Sequence, residues 1–85
     1  MLCLIISHDD YNTATGRYMV VEVVAGAAVP SGAMICDLGT VGIALTGVPI
    51  VVGQSWFAEA SSPLATIDRS TARTAANQVK SIIGP

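Results

Sequence analysis

"LCLIISHDDYNTATGRYMVVEVV", residues 2–24, sets two apolar runs on either side of a polar stretch, and the reading of those runs decides the fold. The first, 2–7, is continuous and brief, which favours a buried strand over a helix. The second, 17–24, is crowded with β-branched and aromatic side chains and reads as a strand pairing with the first. Between them "HDDYNTATG", 8–16, holds Asx-type turn formers and closes on Gly16, so a loop is expected there. Alternation along 17–24 places Tyr18, Val20, Glu22 and Val24 on one side, and Arg17, Met19, Val21 and Val23 on the other.

Working outward, "AGAAVPSG" (25–32) is a small-residue loop broken by Pro30 and Gly32. Three further strands are expected at about 33–38, 41–45 and 48–52, and a sixth at 55–59. Their close spacing and Gly turns imply antiparallel connections and a small, strongly curved sheet or partial barrel. The last element is a helix over 69–83. Asp68 is its N-cap, and Ala72, Ala75, Ala76, Val79, Ile82 and Ile83 recur at helical spacing as one stripe, before Gly84 and Pro85. Arg69, Arg73, Asn77 and Lys80 occupy its opposite, solvated side. The fold class is therefore α+β: mostly β with a C-terminal α-helix.

The length, 85 residues, supports one core and hence one domain over 1–85. Hydrophobic residues make up 52% and charged residues only 12%, too few charges to cover so small a body. Leftover apolar surface calls for a second chain, most simply a homodimer. A net charge of −2 gives no general attraction for nucleic acid, so any such contact must be local. Cys3 and Cys36 lie in apolar stretches without metal-ligand spacing, which reads as reduced core thiols in a cytoplasmic protein. The start "MLCLIISHDD" lacks the basic region of a signal peptide. The uncharged span Leu38–Ala58 is punctuated by Gly39, Gly42, Gly47, Pro49 and Gly53, which argues for short strands and turns and against a membrane helix.

Little of this names a reaction. Ser7, His8 and Asp9 are the residue types of a nucleophilic triad, yet neighbours in an extended segment point to opposite sides and cannot line up. His8 is the single histidine, and with Asp9, Asp10 or Asp37 it has no recognised ligand spacing, so no metal or other cofactor is expected. Gly42–Gly47 lacks the Lys and Ser/Thr of a phosphate-cradling loop. Trp56 and Phe57 suit either stacking on a base or filling an interface, the second being the more ordinary use.

The segment 4–24 resembles the MazF/PemK/Kid toxins. The likeness lies in the apolar strand, Ser7 and Asp9 at its end, Tyr11-Asn12 in the family's aromatic-Asn position, Gly16, and the valine-rich strand to Val24. "GTVGIALTGVPIVVGQ" (39–54) is similar to a later family strand, and "ATIDRSTARTAANQVKSIIG" (65–84) to its last helix. The resemblance implies a curved β-sheet related to CcdB with a C-terminal helix, a homodimer, a cognate antitoxin peptide as partner and cleavage of single-stranded RNA. The family's catalytic Arg precedes the first matched strand, its Thr falls near Val24 or Ala25, and its acidic residue falls at Val52 or Gly53, so those positions are unmatched. An equivalent groove would be served by His8 as acid or base and Arg17 as the phosphate cation, with Asn12, Thr46, Gln54 and Trp56 binding RNA or partner. The alternative of a different class is a non-catalytic dimeric protein-binding module, either a CcdB-like target binder or an adaptor.

Overall fold

A computed structural model describes residues 2–57 and 67–83, apart from the side chains of Gln54 and Phe57. The elements run β1 (Leu2–Ile5), α1 (Asp9–Thr15), β2 (Arg17–Val24), β3 (Cys36–Asp37), β4 (Ile43–Ala44), β5 (Ile50–Gly53) and α2 (Arg69–Ile83). Short 3-10 turns occupy Gly26–Ala28, Gly39–Val41 and Gln54–Phe57. All strand pairings are antiparallel, in the order β1-β2-β4-β3, with β5 also on β2, and the sheet is open.

β2 is the hub because it is the longest apolar strand and can be paired along its whole length. β1 lies along one edge from Leu2↔Val23 to Ile5↔Val20. The other edge is shared: β5 takes Arg17↔Gly53 to Val20↔Ile50, and β4 takes Val23↔Ala44 and Val24↔Ile43. The two-residue strand β4 is reached through a tight approach at Gly42. Its φ is +139°, and a Cβ there would stand 2.8 Å from Val23 Cγ1 and 2.9 Å from the Val24 carbonyl oxygen, so only glycine fits.

The alternation expected in β2 sorts the two faces. Val21 and Val23 join Cys36, Leu38 and Ala44, and α2 sets Ala75 and Val79 against them to make the core. Leu2, Leu4, Ile6 and Met19 pack at its margin. The stripe of α2 outruns the sheet: Ala75 is fully enclosed whereas Ile83 is 82% exposed. Its polar side, Arg69, Arg73, Asn77 and Lys80, faces water throughout. Asp68 caps the helix, accepting from the Ser70 hydroxyl and from the Thr71 N–H at 3.4 Å.

Four expectations change, the first being the strand expected at 41–45, which keeps only Ile43–Ala44 because Gly39–Val41 winds into a 3-10 turn. The stretch 8–16 is not a loop, since Asp9–Thr15 is helical. The strand expected at 33–38 is reduced to Cys36–Asp37, because Ser31–Gly32 form a turn and only the end of the run reaches a partner on β4. The strand expected at 55–59 begins instead inside the 3-10 turn Gln54–Phe57, and its remainder lies outside the described residues. Large apolar side chains stay uncovered, among them Val48, Ile50, Val51 and Trp56. Among the described residues no helix is long and apolar enough to cross a membrane.

Candidate functional site

The β1-to-β2 connection is built by side chains that replace backbone ladder bonds. After β1 the pairing continues for one residue, with the Ile6 N–H donating to the Met19 carbonyl at 2.9 Å. The next bond is made by a side chain: Ser7 Oγ accepts from the Met19 N–H at 3.0 Å and donates to Asn12 Oδ1 at 2.5 Å. Ser7 and Asn12 therefore tie strand, helix and return strand together. They are also two of the positions that carry the resemblance, and their geometry accounts for them as structural residues.

α1 starts at His8, whose Nδ1 accepts from the Asp10 N–H at 3.0 Å. That makes an imidazole do what an Asp or Ser side chain does at most helix starts. Asp9 and Asp10 sit in the first turn, where carboxylates suit the helix dipole. Gly16 closes the helix in the left-handed conformation, φ 67°, with its N–H on the Asn12 carbonyl at 2.9 Å. Thr15 Oγ1 donates to the Tyr11 carbonyl at 2.8 Å and accepts from the Arg17 N–H at 3.1 Å, delivering the chain into β2.

Arg17 is thus placed at the first position of β2, opposite Gly53 at the end of β5, and is exposed. Trp56 lies in the turn that follows β5 and is also exposed, so Arg17 and Trp56 occupy the same end of the sheet. Among the described residues the Arg17 guanidinium has no acidic partner; the one ion pair there joins His8 Nδ1 to Asp10 Oδ2 at 3.6 Å, both side chains largely in water. His8 and Arg17 flank opposite ends of α1, with about 10 Å of helix between them. Asn12 is half-buried and engaged with Ser7. Thr46 is elsewhere: it is fully buried and donates to Gln78 Oε1 at 2.8 Å, pinning the β4–β5 turn to α2, and it presents no surface to a ligand. The Gln54 backbone follows Gly53 directly, beside Arg17, while its side chain is outside the described residues.

The thiols are quiet. Cys3 and Cys36 are both free, and burial pushes each above its usual range, with Glu22 adding to the effect at Cys3 and Asp37 at Cys36. They hold their protons at neutral pH and are poor nucleophiles. Among the described residues no group of three or more His, Cys, Asp or Glu converges on a metal position.

No family model matches this sequence, and no curated protein matches it. Solved structures do. The Form-III crystal structure of MazE-MazF from Deinococcus radiodurans aligns at TM-score 0.72 and 19% identity, over 96% of this chain and 83% of that chain. The chain has a MazF-like fold. Form-I of the same complex gives 0.69 at 20% identity over 98% and 83%, and Form-II gives 0.67 at 20% over 96% and 79%. At such identities the likeness is one of architecture, and it spans nearly all of this chain. The pairing of β2 with β5 brings the α1 connection, Arg17 and the β5 end together as one rim. Sequence reasoning overlooked the Ser7–Asn12 tie that holds this rim; its signal is a hydroxyl at the end of a strand with an amide five residues on.

Proposed function

We propose that this chain is a MazF-like toxin of a toxin–antitoxin pair, a cytoplasmic protein acting on single-stranded RNA as a homodimer and restrained by an antitoxin peptide. The observation that carries the reading is the MazF-like fold over 96–98% of the chain. The rim residues support the RNA-directed part. Arg17 is an exposed cation free of acidic partners among the described residues, at the same end of the sheet as an exposed Trp56, a combination suited to one phosphate and one base. His8 offers Nε2 to solvent while Nδ1 is held on the Asp10 N–H.

In the reaction proposed, the His8 proton moves to Nδ1, facing the Asp10 carboxylate at 3.6 Å in place of the Asp10 N–H bond, and the freed Nε2 takes the proton of a ribose 2'-hydroxyl as its oxygen attacks the adjacent phosphorus. Arg17 compensates the charge gathering on the phosphoryl oxygens; as the P–O bond breaks, the 5'-oxygen takes a proton from a solvent water, and the hydroxide so formed recovers the proton held by His8. A nucleotide and an extended arginine side chain bridge the length of α1 between the two residues. The exposed aliphatic side chains of β5 and of the α2 end, Ile50, Val51, Ile82 and Ile83, support association with a second copy and an antitoxin segment.

Purified protein incubated with single-stranded RNA is expected to yield fragments with 2',3'-cyclic phosphate ends, and Arg17→Ala and His8→Ala are each expected to slow this about a hundredfold. Induced expression is expected to arrest growth, and the arrest should be lost with the same substitutions. RNA left intact by the wild-type protein would overturn the catalytic reading. The second reading, a non-catalytic dimeric protein-binding module, is favoured by the low charge content and the uncovered aliphatics; it predicts growth arrest or partner capture unchanged in Arg17→Ala.

A further inference from the structure

Among the described residues the sheet has three free edges, on β1, β3 and β5. The Ile6 N–H donates to the Met19 carbonyl and the Leu45 N–H to the Glu22 carbonyl, which fixes the direction of the ladder groups on either side of β2. In β1 the N–H and C=O of Leu2 and Leu4 therefore face β2, while those of Cys3 and Ile5 point away from it. Among the described residues no hydrogen bond reaches the Cys3 or Ile5 backbone. In β5 the same parity turns Ile50 and Val52 toward β2 and Val51 and Gly53 outward.

An open row of N–H and C=O groups pairs with any strand that reaches it, so proteins blunt free edges with proline, charge or shortness. β3 has only two residues, one of them the exposed Asp37. β5 is preceded by Pro49, which stands at the outward parity and has no N–H to offer. β1 carries none of these devices. Residues 2–7, "LCLIIS", contain no charge, no proline and no glycine, and Ile5 is 45% exposed.

We propose that β1 pairs edge to edge with β1 of a second copy, antiparallel about a two-fold axis, so that the two sheets run on as one. The register that engages both outward residues of the strand sets Cys3 against Ile5 of the second copy. Each N–H donates to the other's carbonyl, and symmetry repeats the pair on the far side of the axis. Leu4 then meets Leu4 across the axis, and Leu2 meets Ile6. These three side chains are half-buried at the margin of the core, so the second copy covers with the same aliphatic groups what the first leaves half open. Self-complementarity in both hydrogen bonds and side chains is what selects a second copy as the occupant. This contact rests on the homodimer part of the proposed function and gives that dimer its place on the chain.

Disulfide formation between copies reads the register directly. In this pairing the Cα atoms of Cys3 and of Ile5 in the second copy stand about 5.5 Å apart, within disulfide reach, whereas position 3 against position 3, or 5 against 5, lies on a longer diagonal. Cys36 is buried and takes no part. Under mild oxidation Ile5→Cys is expected to give a covalent dimer, while the wild type and the double variant Cys3→Ser/Ile5→Cys stay uncrosslinked. Ile5→Lys is expected to raise the dissociation constant of the dimer about tenfold or more in sedimentation, with circular dichroism and thermal melts showing the chain folded. A crosslink in the wild type or in the double variant would overturn the register and the proposal with it. A dimer that Ile5→Cys does not crosslink and Ile5→Lys does not weaken would overturn the proposal and leave the homodimer reading standing, the second copy then sitting on another surface. A wild-type chain that sediments as a monomer at high micromolar concentration would overturn both.

Discussion

α1 and α2 are held by opposite means. α2 is fifteen residues long and docks by burial, with Ala75 and Val79 sunk into the valine cluster of the sheet. α1 has seven residues and buries none of them. An isolated helix of either length is marginal in water, so each draws its stability from outside itself. For α2 the source is apolar area removed from water. For α1 it is hydrogen bonds at the two ends, the His8 cap, the Gly16 closure and the Ser7–Asn12 tie to Met19. A helix docked by area writes a stripe into its sequence, while a helix docked by its ends writes none.

The contrast can be broken most forcefully at Ala75. Placing an unpaired carboxylate there with Ala75→Asp should cost about 3 kcal/mol or more and detach α2, read as an early, broadened chemical denaturation curve with reduced helical circular dichroism. At the other helix, Ser7→Ala should cost about 1–2 kcal/mol by stranding the Met19 N–H, and faster amide exchange should be confined to residues 8–16 and Met19. A cost as large as that at Ala75 would mean that α1 is docked by more than its ends.

Thr46→Val sharpens the account of α2, because it keeps the shape and removes only the hydroxyl that donates to Gln78; about 1 kcal/mol is expected from denaturant midpoints. The smallest effect belongs to Asp68→Ala, which removes an exposed cap. The hydrogen bond from Ser70, then that from the Thr71 N–H, hold the Asp68 carboxyl below the usual range. A depressed carboxyl stabilises the fold fully above its unfolded value and loses that contribution as pH falls through the lowered folded one. The difference in melting temperature between wild type and Asp68→Ala should thus be flat from about pH 5 to 8 and shrink in acid.

Much of the frame was legible from local pattern. β2 occupies Arg17–Val24 because eight consecutive strand formers admit little else, and its alternation separates Val21 and Val23 from Val20 and Glu22 as the two faces require. α2 follows from its stripe and from Asp68. The site was legible only in part: Arg17 and Trp56 come to one rim because β5 pairs with the first half of β2, a long-range register that no short motif records. Thr46 illustrates the limit, since its polarity suggested a ligand and its neighbour Gln78, thirty-two positions away, takes its hydroxyl instead.

Taken alone, the order of residues determined that β1, β2 and β5 are strands, that an amphipathic helix follows Asp68, and that too few charges exist to cover the surface, because these depend on propensity, periodicity and composition. Tertiary structure alone decided that β3 keeps two residues, that Thr46 is buried with its hydroxyl on Gln78, and that Glu22 stands half-buried in register with Cys3. Each of those outcomes rests on partners distant in the chain, and the free energy of a hydrogen bond or a half-buried charge is set by what stands next to it in space.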